Sequence, residues 1–209
     1  MKNLIIIGAG GFGLELYEIA KDSKGYNSEF TIKGFIDDNI TEISASKHMP
    51  PVLSTISDYT VETNDVFVCS LGDVKAKKKI SQFILNRGGC FINLIHNSSI
   101  VYSNLDKNVG IIVGPNVTIG SNCKIGNHTL LQTGVILGHD SCIGDWTRLD
   151  SYVVIVGGVI IKDSVSVHTS AVINNNVVLE NEACVGALSF VVRNVMQNTT
   201  VYGNPAKKL

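Results

Sequence analysis

From Val113 onward the chain is written in sixes. Every sixth residue is aliphatic: Val113, Ile119, Ile125, Leu131, Leu137, Ile143, Leu149, Ile155, Ile161, Val167, Ile173, Leu179, Val185 and Val191, with no slip of register. Two residues before each stands a small or β-branched one, as at Val117, Cys123, Thr129, Val135, Ser141, Thr147, Val153 and Val159, and glycine follows at Gly114, Gly120, Gly126, Gly138, Gly144 and Gly186. A period of six matches neither the 3.6 of a helix nor the alternation of a half-buried strand. It matches a solenoid of short strands and turns, in which each hexad sends one large and one small side chain inward and Gly, Asn or Asp serves the turn. Three hexads close a triangular coil, so residues eighteen apart stack at about 4.8 Å. Each coil buries its aliphatic residues only against its neighbours, which makes the stack the stable unit.

The first third has a different pattern. Leu4 to Ile7 reads as a short buried strand running into Gly8-Ala9-Gly10-Gly11-Phe12-Gly13. Helical spacing follows, with Leu14, Tyr17 (or Glu18) and Ala20 on one side, and then a second strand, Thr31 to Ile36, ending in Asp37-Asp38. A third strand (Val66 to Leu71), a helix (Lys75 to Asn86) and a last short strand (Cys90 to Leu94) lead to the repeat, and the stretch 39–64 with Pro50-Pro51 reads as an irregular connection. Strand, glycine turn, helix, strand and acid is the context of a nucleotide-binding fingerprint. Its glycines bring backbone N–H groups to phosphate at the positive end of a helix, and a carboxylate after the second strand accepts from a ribose hydroxyl or a base N–H. A bare structural turn and a nicotinamide site are the alternatives; the unit is short for the latter and no hydride-transfer machinery follows. The pattern therefore predicts two parts, a small Rossmann-like α/β domain over 1–93 and a β-helix with its tail over 94–209.

Composition narrows the class. A net charge of −1 gives no reason to expect nucleic acid or an anionic membrane as partner, and no apolar run approaches a membrane span. The apolar part of Met1–Gly8 is too short for a signal peptide. Five cysteines, odd in number and without a Cys-x-x-Cys pair, fit a reduced, cytoplasmic, soluble protein, with Cys123 as core filler. Lys75, Lys77, Lys78 and Lys79 read as a solvated helix face. His48, His96 and His128 lack ligand spacing, His128 reads as an exposed turn residue, and no metal is expected.

One corner of the repeat carries Gly138-His139-Asp140. An amine or hydroxyl attacking a thioester must lose a proton, and an imidazole has the basicity to take it; a carboxylate beside it fixes the tautomer and stabilises the imidazolium. Gly157 lies eighteen residues on, one coil away, where the lack of a side chain leaves room for a thioester and the N–H can face an oxyanion. A rival column, Gln132, Asp150 and His168, has the same spacing and offers a second carboxylate–imidazole pair.

The repeat, with the tail Val201-Tyr202-Gly203-Asn204-Pro205-Ala206-Lys207, resembles the hexapeptide-repeat acyltransferases, which fold as a left-handed β-helix. The left hand rests on that resemblance, since the general chirality rule favours the right. The glycine-loop domain with Gly34-Phe35-Ile36-Asp37-Asp38, joined to such a repeat, looks like the sugar acetyltransferases of bacterial surface glycans: sialic acid O-acetyltransferases and N-acetyltransferases acting on nucleotide-linked 4-amino sugars. The resemblance implies an acetyl-CoA-dependent O- or N-acyltransferase with His139 as general base, Asp140 as its orienter and Gly157 at the acetyl group. It further implies CoA contacts at Gly157, Gly158, Gly186, Ala187, Asn204 and Pro205, nucleotide-sugar contacts at Gly8, Gly10, Gly11, Asp37 and Asp38, and a homotrimer with CoA between adjacent β-helices. Two positions depart from the family: Arg148 stands where many members carry a second His, and Gln132 where they often carry Asn. The resemblance counts Gln132 and Arg148 among the nucleotide-sugar contacts, and the departure bears on which acceptor is used more than on the reaction; Arg148 is no base, and an arginine there suits an acidic sugar or a phosphate. A non-catalytic nucleotide-binding scaffold and a serine-type O-acetyltransferase are the competing readings, the long N-terminal domain arguing against the second.

Overall fold

A computed structural model describes residues 1–39 and 50–209; His48 lies outside the described residues. The contacts divide the chain into two compact units, Met1–Leu94 and Ile95–Leu209.

In the first unit five parallel strands, β1 (Lys2–Ile7), β2 (Phe30–Ile36), β3 (Val52–Ser54), β4 (Asp65–Cys69) and β5 (Cys90–Phe91), form a sheet in the order β3-β2-β1-β4-β5. Leu4 to Ile7 are fully buried, as expected of a central parallel strand covered on both faces. β3 is an addition to the expected elements, in the stretch read as irregular. The predicted strand Cys90–Leu94 breaks in two: β5 stays with this sheet, while Leu94–Ile95 opens a sheet of the β-helix. Helix α1 (Gly11–Lys21) buries Gly13, Leu16, Ile19 and Ala20; of the expected stripe Leu14, Tyr17 and Ala20, Ala20 is buried and the other two are only half-buried. The stripe is rotated because Gly13 must face inward: a Cβ there would sit 2.2 Å from the Gly8 carbonyl oxygen. Helix α2 (Val74–Asn86) is capped by Asp73, whose side chain accepts from the Ala76 amide at 2.7 Å. Its buried stripe is Lys77, Ser81 and Ile84, so Lys77 is no part of a solvated face.

The second unit is a triangular coil. Two-residue strands stack in three parallel faces with an eighteen-residue register, for example Lys124 with Cys142, Leu130 with Arg148 and Ile136 with Val154. The second residue of each strand is the hexad aliphatic and points inward; all those from Val113 to Val191 are at most 4 % exposed. Each such side chain contributes about 1.5–3 kcal/mol on burial. Polar residues at the small inward positions satisfy themselves on the neighbouring coil: Thr129, Ser141 and Thr147 donate to the carbonyls of Gly144, Val156 and Lys162 at 3.1, 3.3 and 3.0 Å.

The glycines that directly follow aliphatic residues are not the ones with left-handed backbone; that conformation falls on the third residue after the aliphatic, at Asn116, Asn122, His128, Gly134, Asp140, Trp146, Tyr152 and Gly158, all with φ between 55° and 72°, so the expected Gly, Asn or Asp serves the turn at five of these and His, Trp or Tyr at three. The earlier glycines answer to close stacking instead: a Cβ on Gly138 would lie 2.6 Å from the Gly157 nitrogen of the next coil. His128 is a correction too. It is 3 % exposed, its ring stacked on Trp146 at 4.0 Å and 6°, because turn residues eighteen apart lie directly over one another.

Candidate active site

The strand Ile136–Leu137 delivers Gly138, His139 and Asp140 to one corner of the coil, from which Cys142–Ile143 starts the next face. His139 Nδ1 and Asp140 Oδ2 are 2.6 Å apart, and both side chains are exposed. Asn122, one coil before Asp140, donates from Nδ2 to Asp140 Oδ1 at 3.2 Å. The hydrogen bond from His139, and then that from Asn122, hold the Asp140 carboxyl below the ordinary carboxylate range. With Nδ1 engaged, Nε2 is the ring nitrogen left for chemistry. Asn122 is a contributor that the sequence reading passed over, although its spacing of eighteen from Asp140 was there to find.

Gly157 lies under the imidazole. A Cβ on it would meet His139 Nε2 at 2.8 Å and Cε1 at 2.9 Å, so only glycine fits that ring position. Gly158 has a separate duty: φ +72° makes it the turn residue, and its amide donates to the His139 carbonyl at 2.9 Å. Among the described residues the Gly157 amide meets no hydrogen-bond acceptor. A cavity of about 460 Å³ lined by Tyr102, Asn104, Lys107, Asn122 and Lys124 opens on the Asn122 side of the dyad.

The rival column is also assembled. His168 Nδ1 lies 2.9 Å from Asp150 Oδ2, Arg148 Nε donates to Asp150 Oδ1, and Asp150 is 5 % exposed. Gln132 Oε1 accepts from the Ser151 amide at 3.1 Å. Near the end of the coil, the place left by Gly186 is taken by Tyr202, 2.5 Å from where a Cβ would be. Asn204 and Pro205 stay exposed in a tail that folds back, with Thr200–Tyr202 pairing parallel to Cys184–Val185 and antiparallel to Lys207–Lys208.

In the first unit the glycine loop sits at the carboxyl end of β1, where β2 and β4 flank it and the strand order reverses, the usual ligand position in such sheets. Gly8 has φ +93°, and Ser70 Oγ donates toward its carbonyl at 2.9 Å. Nothing lies within 4 Å of the Cβ positions of Gly10 or Gly11, so a phosphate has room to approach. Asp37 accepts from the amides of Ala9 at 2.7 Å and Asn39 at 2.8 Å, and Asp38 from that of Ile56 at 2.9 Å. Both acids therefore brace the loops around the site.

Comparison with known proteins bears on both units. Residues 3–84 match the PglD N-terminal domain family. The whole chain superimposes on PerB from Caulobacter crescentus, solved in complex with CoA and GDP-perosamine, with a TM-score of 0.88 at 23% identity over 100% of this chain and 98% of that one. WeeI from Acinetobacter baumannii AYE gives 0.87 at 22% identity, and the acetyltransferase domain of PglB from Neisseria gonorrhoeae FA1090 gives 0.86 at 20%, each over 100% of both chains. The PglB domain has also been solved with acetyl coenzyme A. These likenesses establish the fold as a small α/β domain followed by a left-handed parallel β-helix.

Proposed function

We propose that this protein transfers an acetyl group from acetyl-CoA to an amino or hydroxyl group of a sugar, most simply a nucleotide-linked one, in bacterial surface polysaccharide synthesis in the cytoplasm. The observation that carries the reading is the His139–Asp140 pair seated over Gly157, whose amide has no internal acceptor among the described residues. Shared architecture with PerB and the PglB domain supports it.

In this reading the acceptor nitrogen or oxygen attacks the thioester carbonyl carbon and passes its proton to His139 Nε2, while Asp140 stabilises the imidazolium. The Gly157 amide donates to the oxyanion that develops on the carbonyl. Collapse of that intermediate breaks the carbon–sulfur bond, and the proton returns from His139 to the CoA sulfur. The Gly8–Gly13 loop, with Gly10 and Gly11 open to solvent, takes the nucleotide phosphates, and Gly158, Gly186, Ala187, Asn204 and Pro205 border the CoA path. A homotrimer completes the reading. One face of the coil carries an outward column of Ile100, Thr118, Ile136, Val154, Val172 and Phe190, apolar but for Thr118, with Ile100 50 % and Ile136 45 % exposed, which suits burial against a second copy.

The test is thiol release from acetyl-CoA with a panel of nucleotide amino sugars and free sugars, alongside sedimentation to count chains. Release with some acceptor, abolished in His139→Ala, is the expected result. No release with any acceptor together with no calorimetric binding of CoA would leave a nucleotide-binding scaffold in its place.

A further inference from the structure

Counted back from Val113, the sixes fall on Lys107, Val101 and Ile95. Val101 and Ile95 pack against the core of the coil, while Lys107 is exposed. Leu105 and Ile111 fill the core beside it, 5 % and 0 % exposed. A lysine at an inward place is costly to bury, and the chain leaves its regular path here: residues 103–110 form bends and turns and no strand. The consequence falls on one face. Two faces begin one coil early, at Leu94–Ile95 and at Ile100–Val101, which pairs with Thr118–Ile119. The third begins at Lys124–Ile125, which has Cys142–Ile143 on one side and no strand on the other. Along the coil each strand's amide donates to the carbonyl seventeen residues on, as Ile100 does to Val117 at 2.9 Å and Lys124 to Ser141 at 3.0 Å. By that rule the Cys123 carbonyl would accept from Asp106, but the Asp106 amide donates to Asn104 Oδ1 at 2.7 Å. The Cys123 carbonyl therefore accepts from no backbone amide among the described residues. At this open edge lies the cavity of about 460 Å³, whose walls include Tyr102, Lys107, Asn122, Cys123 and Lys124.

We propose that this cavity holds the acceptor sugar by a phosphate bonded to it, with Lys107 and Lys124 taking the phosphate oxygens and the Cys123 carbonyl accepting from a sugar hydroxyl. Neither lysine is in an ion pair among the described residues. Two compact charges with rotatable donors suit the several oxygens of a phosphate, whereas a planar carboxylate is better matched by the fork of an arginine. The exposed ring of Tyr102 offers the sugar an apolar face. Lysines also guard open sheet edges, but a guard has no need of a cavity beside a base. Asn122 ties the cavity to the dyad, since it donates to Asp140 at 3.2 Å. Gly157 lies one coil beyond His139 and Asn122 one coil before Asp140, so thioester and acceptor approach the imidazole from opposite sides. As the acceptor subsite the cavity rests on the acyl-transfer reading; as a phosphate site it does not.

The intact protein, without acetyl-CoA, is labelled with acetic anhydride in the presence of glucose 1-phosphate, glucuronate or glucose, and modification of each lysine is followed by peptide mass spectrometry. Glucose 1-phosphate should slow labelling at Lys107 and Lys124 at least about threefold, as a site two-thirds filled would, and leave the exposed Lys78 and Lys79 unchanged. Protection no greater than that given by glucuronate or glucose overturns the phosphate site, and no protection at all makes both lysines guards of an edge. The acceptor role is read separately, with an acceptor that supports thiol release. There the double variant Lys107→Gln, Lys124→Gln should raise the KM for the acceptor about tenfold, with kcat and melting temperature little changed. An unchanged KM places the acceptor elsewhere even where protection is seen. Absence of release with any acceptor defeats the transfer reading and the acceptor role with it, while protection still decides the phosphate site.

Discussion

Two corners of the same coil solve one problem in opposite ways. Where Asp145 sits, the backbone amides that the turn leaves outward are closed by side chains from the next coil: Val109 by Asn127 at 3.0 Å, Asn127 by Asp145 at 2.7 Å, Asp145 by Asp163 at 2.8 Å and Asp163 by Asn181 at 3.0 Å. Where His139 sits, the equivalent amides of Ser121, His139, Gly157 and Asn175 meet no acceptor among the described residues, and the polar side chains pair with each other instead. The backbone path is the same, since both corners carry left-handed residues at equal spacing. A ladder of Asp and Asn thus marks a corner that is structural, and a corner without it is one whose donors are kept for something outside the chain.

The largest effect belongs to His139. Its side chain is 72 % exposed and touches Asp140 alone by hydrogen bond, so His139→Ala should lower turnover by roughly 10²–10⁴-fold with an unchanged melting temperature. A comparable fall in melting temperature would put this corner in the structural class with the other. Should only His168→Ala abolish thiol release, the base would be in the wrong column.

Gly157 comes next. Alanine there would place its Cβ 2.8 Å from His139 Nε2, against an exposed ring that is able to swing away. Gly157→Ala should therefore cost about 10²-fold in rate through misplacement of the base and little in stability. Gly138→Ala is the matched control, because its Cβ would strike backbone, the Gly157 nitrogen at 2.6 Å; it should destabilise the coil. Circular dichroism melts beside rate measurements separate the two, and equal melting losses would refute the distinction.

Much of this was written in the chain, and what was missed has physical causes. The hexad gave the coil, its inward residues and the stacking of His139 over Gly157, because a parallel coil translates spacing directly into contact. The same rule, applied to turn residues, places His128 against Trp146 and Asn122 against Asp140; reading His128 as exposed ignored that a turn is covered by the turn above it. Lys77 was misread from the lysines around it, although its spacing to Ser81 and Ile84 is that of a buried helical stripe. β3 left no mark, being three half-buried residues after two prolines, with pairing supplied wholly by distant β2. The Arg148–Asp150 contact crosses from strand to corner, where the alternation of sides that separates residues two apart in a strand no longer holds.

A smaller effect tests the closed corner. Asp145→Ala removes the acceptor for the Asn127 amide and should cost about 1 kcal/mol, read from urea midpoints, while thiol release stays at the native rate. Asp145→Asn keeps an oxygen at that place and should melt as the native chain does. Loss of activity without loss of stability in Asp145→Ala would show that the ladder is not merely structural.

The finest test is of charge. Asp140 is held below the ordinary carboxylate range by His139 first and Asn122 second. A carboxylate with a depressed folded pKa stabilises the fold above its unfolded value, about 3.9, and that contribution is lost as pH falls through the folded pKa. Asp140 is fully exposed, so solvent screens the effect on folding to very little, and what should move is the dyad alone. In Asn122→Ala the Asp140 carboxyl, followed by carbon NMR, should titrate closer to the ordinary range, because one of its two hydrogen bonds is gone. The acid unfolding midpoint should stay where it is. If that midpoint moved in Asn122→Ala, the His139 corner would be holding the coil together after all, and the difference between the two corners would be one of residue type and not of purpose.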